Sequence, residues 1–303
     1  MELPAFKPTE YKISTITATG SINTSVNLDA FFEHMPVLEA GDPGEGVLYA
    51  EYGIRKNEIV HKGYPRKPVS TRKLNTGTKK RFDNQVTIVY RFIDDTHPIA
   101  SVNSKVFKNG NVQMTGLRYI EQGHLVLGFI IATLKRIYAF DKTIVANMDD
   151  LGEKDYRIRL INCDFKLGFE IKRERLFRLV MNAYKVPCSY EPCIYPGVKI
   201  QYWWNAENVL KDGYCYCSQC CNGKGHGHGE GECKKITIAV FQSGCIIITG
   251  GQSIEQIDEA YKFTCDCIQG NLAGVVKFVI QLPEVEAKRK KVYIKKSRIR
   301  PLS

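Results

Sequence analysis

Residues 240–251 read VFQSGCIIITGG, and residues 106–116 read VFKNGNVQMTG. As a pattern, V-F-x-x-G-x-[VI]-x-x-T-G-x-x-x-I-E-Q, the two stretches match without a gap from Val106 to Gln122 and from Val240 to Gln256. An internal repeat constrains the architecture more than any local propensity, because each copy is one unit of structure. Upstream, Tyr11-Lys12-Ile13 opens the alternating stretch YKISTITATGSI, and Tyr156-Arg157-Ile158 opens YRIRLINCDFKLGFEI. Helical patterns follow, LDAFFEHM in the first half and RERLFRLVMNAYK in the second. The order strand, helix, strands, hairpin, helix thus occurs twice, which predicts a tandem repeat of one α+β unit. The expected divisions are an N-terminal extension at 1–10, a first repeat at 11–145, a second at 152–270 and a basic tail at 271–303.

The repeated stretch reads as a hairpin. Lys108-Asn109-Gly110 and Gln242-Ser243-Gly244 have the form of three-residue loops, whose last position is left-handed and suits glycine. Side chains alternate along a strand. One face of the second copy then carries Ile236, Ile238, Val240, Ile246 and Ile248, a normal core face. The other carries Thr237, Ala239, Phe241, Ile247 and Thr249, also largely apolar. A sheet covered by helices on one side is ordinarily polar on the other, so an uncovered apolar face marks a binding surface. The plainer alternative is that both faces are buried, the second by a partner domain or by dimerisation. In the first copy the same face is more polar, with Lys105, Phe107, Gln113 and Thr115.

Charge points to the kind of partner. The chain has 303 residues and a formal net charge of +11. Ten Lys/Arg and a single acid, Glu58, lie between Arg55 and Arg81, and eight more lie in KRKKVYIKKSRIR at 288–300 with no acid. Such runs are often just solvated segments. Two of them flanking a repeat favour phosphate contact. A duplicated sheet with apolar wedges at strand ends, small residues and threonines between them, and basic flanks suits the DNA minor groove. That groove offers few donors, and wedges there part base steps and kink the duplex.

The repeats resemble those of TATA-binding proteins. The hairpin signature is similar to theirs in both halves, as is YEPCIYPG at 190–197; a weaker match is KRF at 80–82. The resemblance spans roughly residues 10–270. It implies a pseudo-symmetric curved antiparallel-sheet saddle with helices on the convex face. It also implies four groove-inserting aromatics: Phe107 and Phe241 from the hairpins, Tyr195 and Phe82 from the stirrup loops. Thr115, Thr249 and Ile247 match groove-contacting positions. Gln113 and Lys105 stand where the family has apolar residues, and Leu160 and Lys12 where it has asparagine, so the preferred DNA sequence is expected to differ. Glu191 and Ile194 match contacts to a B-type initiation factor. The implied partners are double-stranded DNA, that factor and RNA polymerase, in the nucleus or at a viral replication site in the host cytoplasm. A basic insertion at about 46–81 and a Cys/Gly/His-rich one at about 205–234 resemble the divergent TATA-binding-like proteins of large nucleocytoplasmic DNA viruses. The other readings are a saddle-shaped protein-interaction module with weak non-specific DNA binding, and single-strand binding by stacking.

Eleven cysteines without a secretory signal pattern read as thiols or metal ligands rather than a disulfide framework. Cys217-x-x-Cys220 has the spacing of a zinc half-site, and Cys233 with His226 or His228 completes four ligands, with Cys215 and Cys221 as alternatives. Free thiols on a loop are the plainer reading. No other cofactor is expected. Phosphate-loop, H-E-x-x-H and G-x-S-x-G motifs are absent, and nothing pairs a nucleophile with a base, so the chain reads as a binder and not an enzyme. No run approaches the roughly 18 apolar residues of a membrane span. The richest, LVLGFIIATL at 125–134, reads as a buried helix face.

Overall fold

A computed structural model describes residues 3–55, 58–63, 84–93, 101–217, 221, 225–226 and 230–278. Its centre is one open antiparallel sheet. The first half contributes β1 (Lys12–Ser21), β2 (Gly46–Arg55), β3 (Glu58–Gly63), β4 (Gln85–Arg91), β5 (Ser101–Phe107) and β6 (Asn111–Leu117). The second contributes β7 (Lys154–Lys166), β9 (Cys188–Ser189), β10 (Val198–Trp204), β11 (Lys234–Val240) and β12 (Cys245–Gly251). The spatial order is β3-β2-β4-β5-β6-β1-β7-β12-β11-β10-β9. The two halves meet at β1 and β7, where Ile16 faces Ile161 and Thr17 faces Leu160. From that seam each half runs outward in the same order, so the sequence repeat is also a topological repeat.

Helices close one side of the sheet. The helix α1 (Leu28–His34) starts at Asn27, whose side chain accepts from the Ala30 N–H, and buries Leu28, Phe31 and Phe32. In α2 (Glu121–Tyr138) the apolar run predicted to be a buried face buries Val126, Leu127, Ile130, Leu134 and Ile137, with Leu125 turned outward. The α4 helix (Ile254–Gln269) buries Ile257, Ala260, Phe263 and Ile268. These residues share one core with Ile16, Ala18, Val106, Val112, Ile161, Ile236, Ile238, Val240, Ile246 and Ile248 of the strands.

The repeated residues do the same work in each half. Both hairpin loops turn on a left-handed glycine, Gly110 at φ 83° and Gly244 at φ 77°. Gly110 O accepts from Ile22 N at 2.9 Å, as Gly244 O accepts from Leu167 N at 3.0 Å. Lys108 O accepts from Val26 N, and Gln242 O from Ile171 N, at 2.9 and 2.8 Å. The glutamine ending the pattern folds back on its own turn: Gln122 Oε1 accepts from Arg118 N at 2.6 Å, Gln256 Oε1 from Gln252 N at 2.8 Å. Both glutamines are buried, so each satisfies a backbone donor at the strand-to-helix corner.

Three segments differ from the sequence expectation. Residues 46–55, which the sequence places at the start of the basic insertion, form β2 and pair with β4. The charge run begins only at Arg55, after Val47, Ala50 and Tyr52 have been buried in the core. RERLFRLVMNAYK is not one uniform helix: α3 (Arg173–Leu179) widens into a π-turn at Val180–Tyr184 and stops at Lys185, φ 56°. The tail expected from 271 begins with folded chain, α5 (Leu272–Val275) and β13 (Val276–Lys277). There Val275 and Val276 are buried, and β13 pairs with β8 (Glu170–Ile171).

Candidate functional site

The face of the sheet opposite the core is open. In the second half Thr237, Phe241 and Thr249 are partly exposed, Ala239 is nearly covered and Ile247 is 38% exposed. Within the single chain, then, these residues are not fully covered. Register lines the open face into rows across the strands. One runs Gln201–Thr237–Thr249–Asn162–Thr15, the next Lys199–Ala239–Ile247–Asp164–Lys12. In the first half the counterparts are Val89–Asn103–Thr115–Thr17–Leu160 and Thr87–Lys105–Gln113–Thr19–Arg157. Thr115 and Thr249, Gln113 and Ile247, and Lys105 all lie on this face, as read from the alternation.

At the rim of the second half, Tyr195 and Phe241 meet with ring centroids 5.7 Å apart at 57°. Tyr195 comes from the 190–197 loop between β9 and β10, and Phe241 begins the hairpin loop. Gly197 lets them approach: a Cβ there would lie 2.8 Å from the Tyr195 ring and 3.2 Å from that of Phe241. Lys199 Nζ sits 4.1 Å from the Tyr195 ring centroid, a cation–π contact that adds charge to the rim. In the first half, Phe107 ends β5 at the matching hairpin. It lines a hollow of about 650 Å³ with Thr19, Asn84, Gln113, Lys154 and Arg159. Phe82 lies outside the described residues.

Sequence reasoning missed the polar groups of the central seam. Thr249 Oγ1 hydrogen-bonds Asn162 Oδ1, Ser14 Oγ donates to Asp164, and Arg159 Nε donates to Thr19 Oγ1 at 2.8 Å. Strand pairing makes Asn162 the partner of Thr249 as Thr17 is the partner of Thr115. The available signal was the alternation of β7, which puts Leu160, Asn162 and Asp164 on one face, but bulges at Ile13/Thr15 and Thr17/Ala18 shift the register. Lys12 and Leu160 are not opposite one another: Lys12 pairs with Asp164 and Leu160 with Thr17.

Glu191 and Ile194 project from the 190–197 loop, with Ile194 80% exposed. Glu191 O accepts from Ile194 N and Tyr195 N, both at 2.9 Å, so one tight turn presents all three residues.

Four sulfurs gather in the excursion between β10 and β11. Those of Cys215, Cys217, Cys221 and Cys233 all lie within 4.8 Å of one another. Cys217 and Cys233 belong to the set expected from sequence. Cys220 lies outside the described residues. His226 is not in the group and bridges to Lys234 through its backbone. Burial pushes the Cys217 thiol up to about 11 and raises that of Cys233 as well. Burial opposes ionisation of Cys221 too, but the Gly225 N–H and the neighbouring thiols outweigh it, and its thiol is shifted down.

Among known proteins, the chain is 29% identical over 269 residues to a TATA-box-binding protein-like protein of Acanthamoeba polyphaga mimivirus, across 83% of this chain. This chain is similar to the TATA-binding proteins. It spans 63% of the length of that viral relative. Among solved structures, the TBP of Methanococcus jannaschii overlays with a TM-score of 0.47 and 18% identity, over 86% of this chain and 99% of that one. No family model matches the sequence. The TATA-binding resemblance stated from the motifs is thus met by a viral relative over most of the chain. No helix among the described residues is long and apolar enough to cross a membrane.

Proposed function

We propose that the open face of the sheet binds double-stranded DNA in the minor groove and bends it at promoters. The observation that carries this is the Tyr195–Phe241 ring pair at the rim of a face lined by Thr237, Ala239, Ile247 and Thr249. Apolar and hydroxyl groups suit a groove floor with few donors. The ring pair is the wedge that parts a base step, at a cost of about a few kcal/mol regained from contacts the bend allows. Phe107 supplies the first-half wedge, with Phe82 as its partner, and the sheet curves as a saddle with its helices on the convex side. The mimivirus relative's name points the same way.

On this reading Lys199 and Arg159, with the basic segments, contact phosphates and add affinity without sequence choice. Gln113, Lys105 and the Asn162–Thr249 pair set a sequence preference of the chain's own. Glu191 and Ile194 dock a B-type initiation factor, which brings RNA polymerase. The chain acts where its template is transcribed, in the nucleus or at a viral replication site. Its role is binding, not catalysis.

Pool selection on duplex DNA, wild type beside Phe107→Ala/Phe241→Ala, tests this. An enriched motif lost in the double variant supports it. Equal, steeply salt-dependent binding by both proteins, or a preference for unpaired strands, contradicts it. The polar row Thr87–Lys105–Gln113–Thr19 favours a second reading, a protein-interaction face. It predicts unchanged DNA binding and loss of a protein partner in the same variant.

A further inference from the structure

The segment between Trp204 and Lys234 leaves the sheet and returns to the facing position on the neighbouring strand, since Trp204 pairs with Lys234. It has almost no apolar material to fold around. Val209 is 91% and Leu210 74% exposed. Its described regular structure is a single 3₁₀ turn at Glu230–Glu232 and the His226–Lys234 bridge. A chain this polar does not hold one conformation by burial alone. What it does bury is sulfur: Cys221 and Cys233 form a small core with Trp203, against which Cys215 and Cys217 pack. This cluster is separate from the main core.

The geometry is that of a metal cage. Cys215 and Cys221 sulfurs are 3.7 Å apart, and Cys215 and Cys233 sulfurs 3.6 Å. With Zn–S bonds of about 2.3 Å, a tetrahedral site has sulfur–sulfur edges of about 3.8 Å. A disulfide would need about 2.05 Å. The surroundings supply donors to the sulfurs: Gly225 N–H to Cys221 Sγ at 3.1 Å and Asn205 Nδ2 to Cys217 Sγ at 3.9 Å. Such N–H···S contacts stabilise thiolates and orient metal ligands. The Trp203 indole N–H is buried in the same small core without a hydrogen-bond partner. Four soft thiolates in a tetrahedral arrangement select zinc over harder divalent ions.

We propose that Cys215, Cys217, Cys221 and Cys233 bind one structural Zn²⁺ through four thiolates, clamping the 205–233 excursion over Trp203. Four ligands close the shell and leave no open position, so the site is structural and not catalytic. Trp203 alternates with Trp204, which lies in the main core, so Trp203 is on the open-face side of β10. The clamp therefore caps the end of β10 away from the Tyr195 rim and fixes one limit of the open face. Each thiol gives up its proton to solvent as the metal enters.

The test is independent of DNA binding. The full chain, purified under reducing conditions without chelator, is assayed for metals, then loaded with Co²⁺ for its absorption spectrum. The expected result is one zinc per chain and the intense sulfur-to-cobalt bands of a tetrahedral four-thiolate site. Cys221→Ser should lose the metal, while Cys193→Ser, on the exposed 190–197 loop, should keep it. Should Cys221→Ser not fold, titrating the wild type with a thiol reagent beside a zinc dye gives the same answer: zinc release should track modification of these four cysteines. Wild type without zinc, iron in its place, zinc retained by Cys221→Ser, or a disulfide between any two of the four would overturn the proposal.

Discussion

Gly197 illustrates how a single residue sets up the site. Its hydrogen leaves room for Tyr195 and Phe241 to meet, and a methyl group there would strike the Tyr195 ring at 2.8 Å. Gly197→Ala should part the rings and weaken DNA binding severalfold, with little change in the unfolding midpoint, because the pair lies at the rim and outside the main core. A fluorescence titration beside a thermal melt separates the two effects. Gly244 carries a different load. It is left-handed, and a Cβ would fall 2.1 Å from Phe169 O. Gly244→Ala should cost more than the roughly 1 kcal/mol of a purely conformational change, read by denaturant unfolding. Gly110 faces the same obstacle at Thr24 O, also 2.1 Å away, so Gly110→Ala should lose stability to a similar degree. Unequal losses would mean that the hairpins are not equivalent.

At the scale of elements, the repeat explains why so much was legible. Glycine in the hairpin and glutamine at the helix corner are dictated by local geometry, so they recur wherever the unit recurs. The strand alternation carried the core face correctly for the same reason, since a one-residue slip would expose Ile236, Ile238 and Val240 together. What was hidden depends on pairing between distant strands. The bulges along β1 and β7 decide which polar groups meet at the seam, and no local pattern announces them. That the Cys215 and Cys221 sulfurs join those of Cys217 and Cys233 likewise depends on how an irregular loop closes on itself. One difference between the halves is testable. Ser253 caps α4 by accepting from Gln256 N, while α2 begins at Ile120 with no side-chain cap. Ser253→Ala should therefore cost about 1 kcal/mol, measured as a shift in the denaturation midpoint.

Across the whole molecule, the two halves share a topology but not a surface. The second half offers Ala239 and Ile247 where the first offers Lys105 and Gln113. A duplex lying across both would meet different side chains in the two halves, which would give the complex a direction along DNA. The charge at 288–300 should act uniformly. Removing it should lower affinity for all duplexes alike and flatten the dependence of log K on log salt, by about 0.9 for each phosphate no longer neutralised. The most direct measurement is the bend itself. A duplex carrying the selected site, labelled at both ends for energy transfer, is titrated with wild type and with Phe107→Ala/Phe241→Ala. A shortened end-to-end distance with wild type, and a straight duplex with the variant even at saturation, is the expected result. A duplex that stays straight with saturating wild type, or bends equally with the variant, would contradict groove insertion.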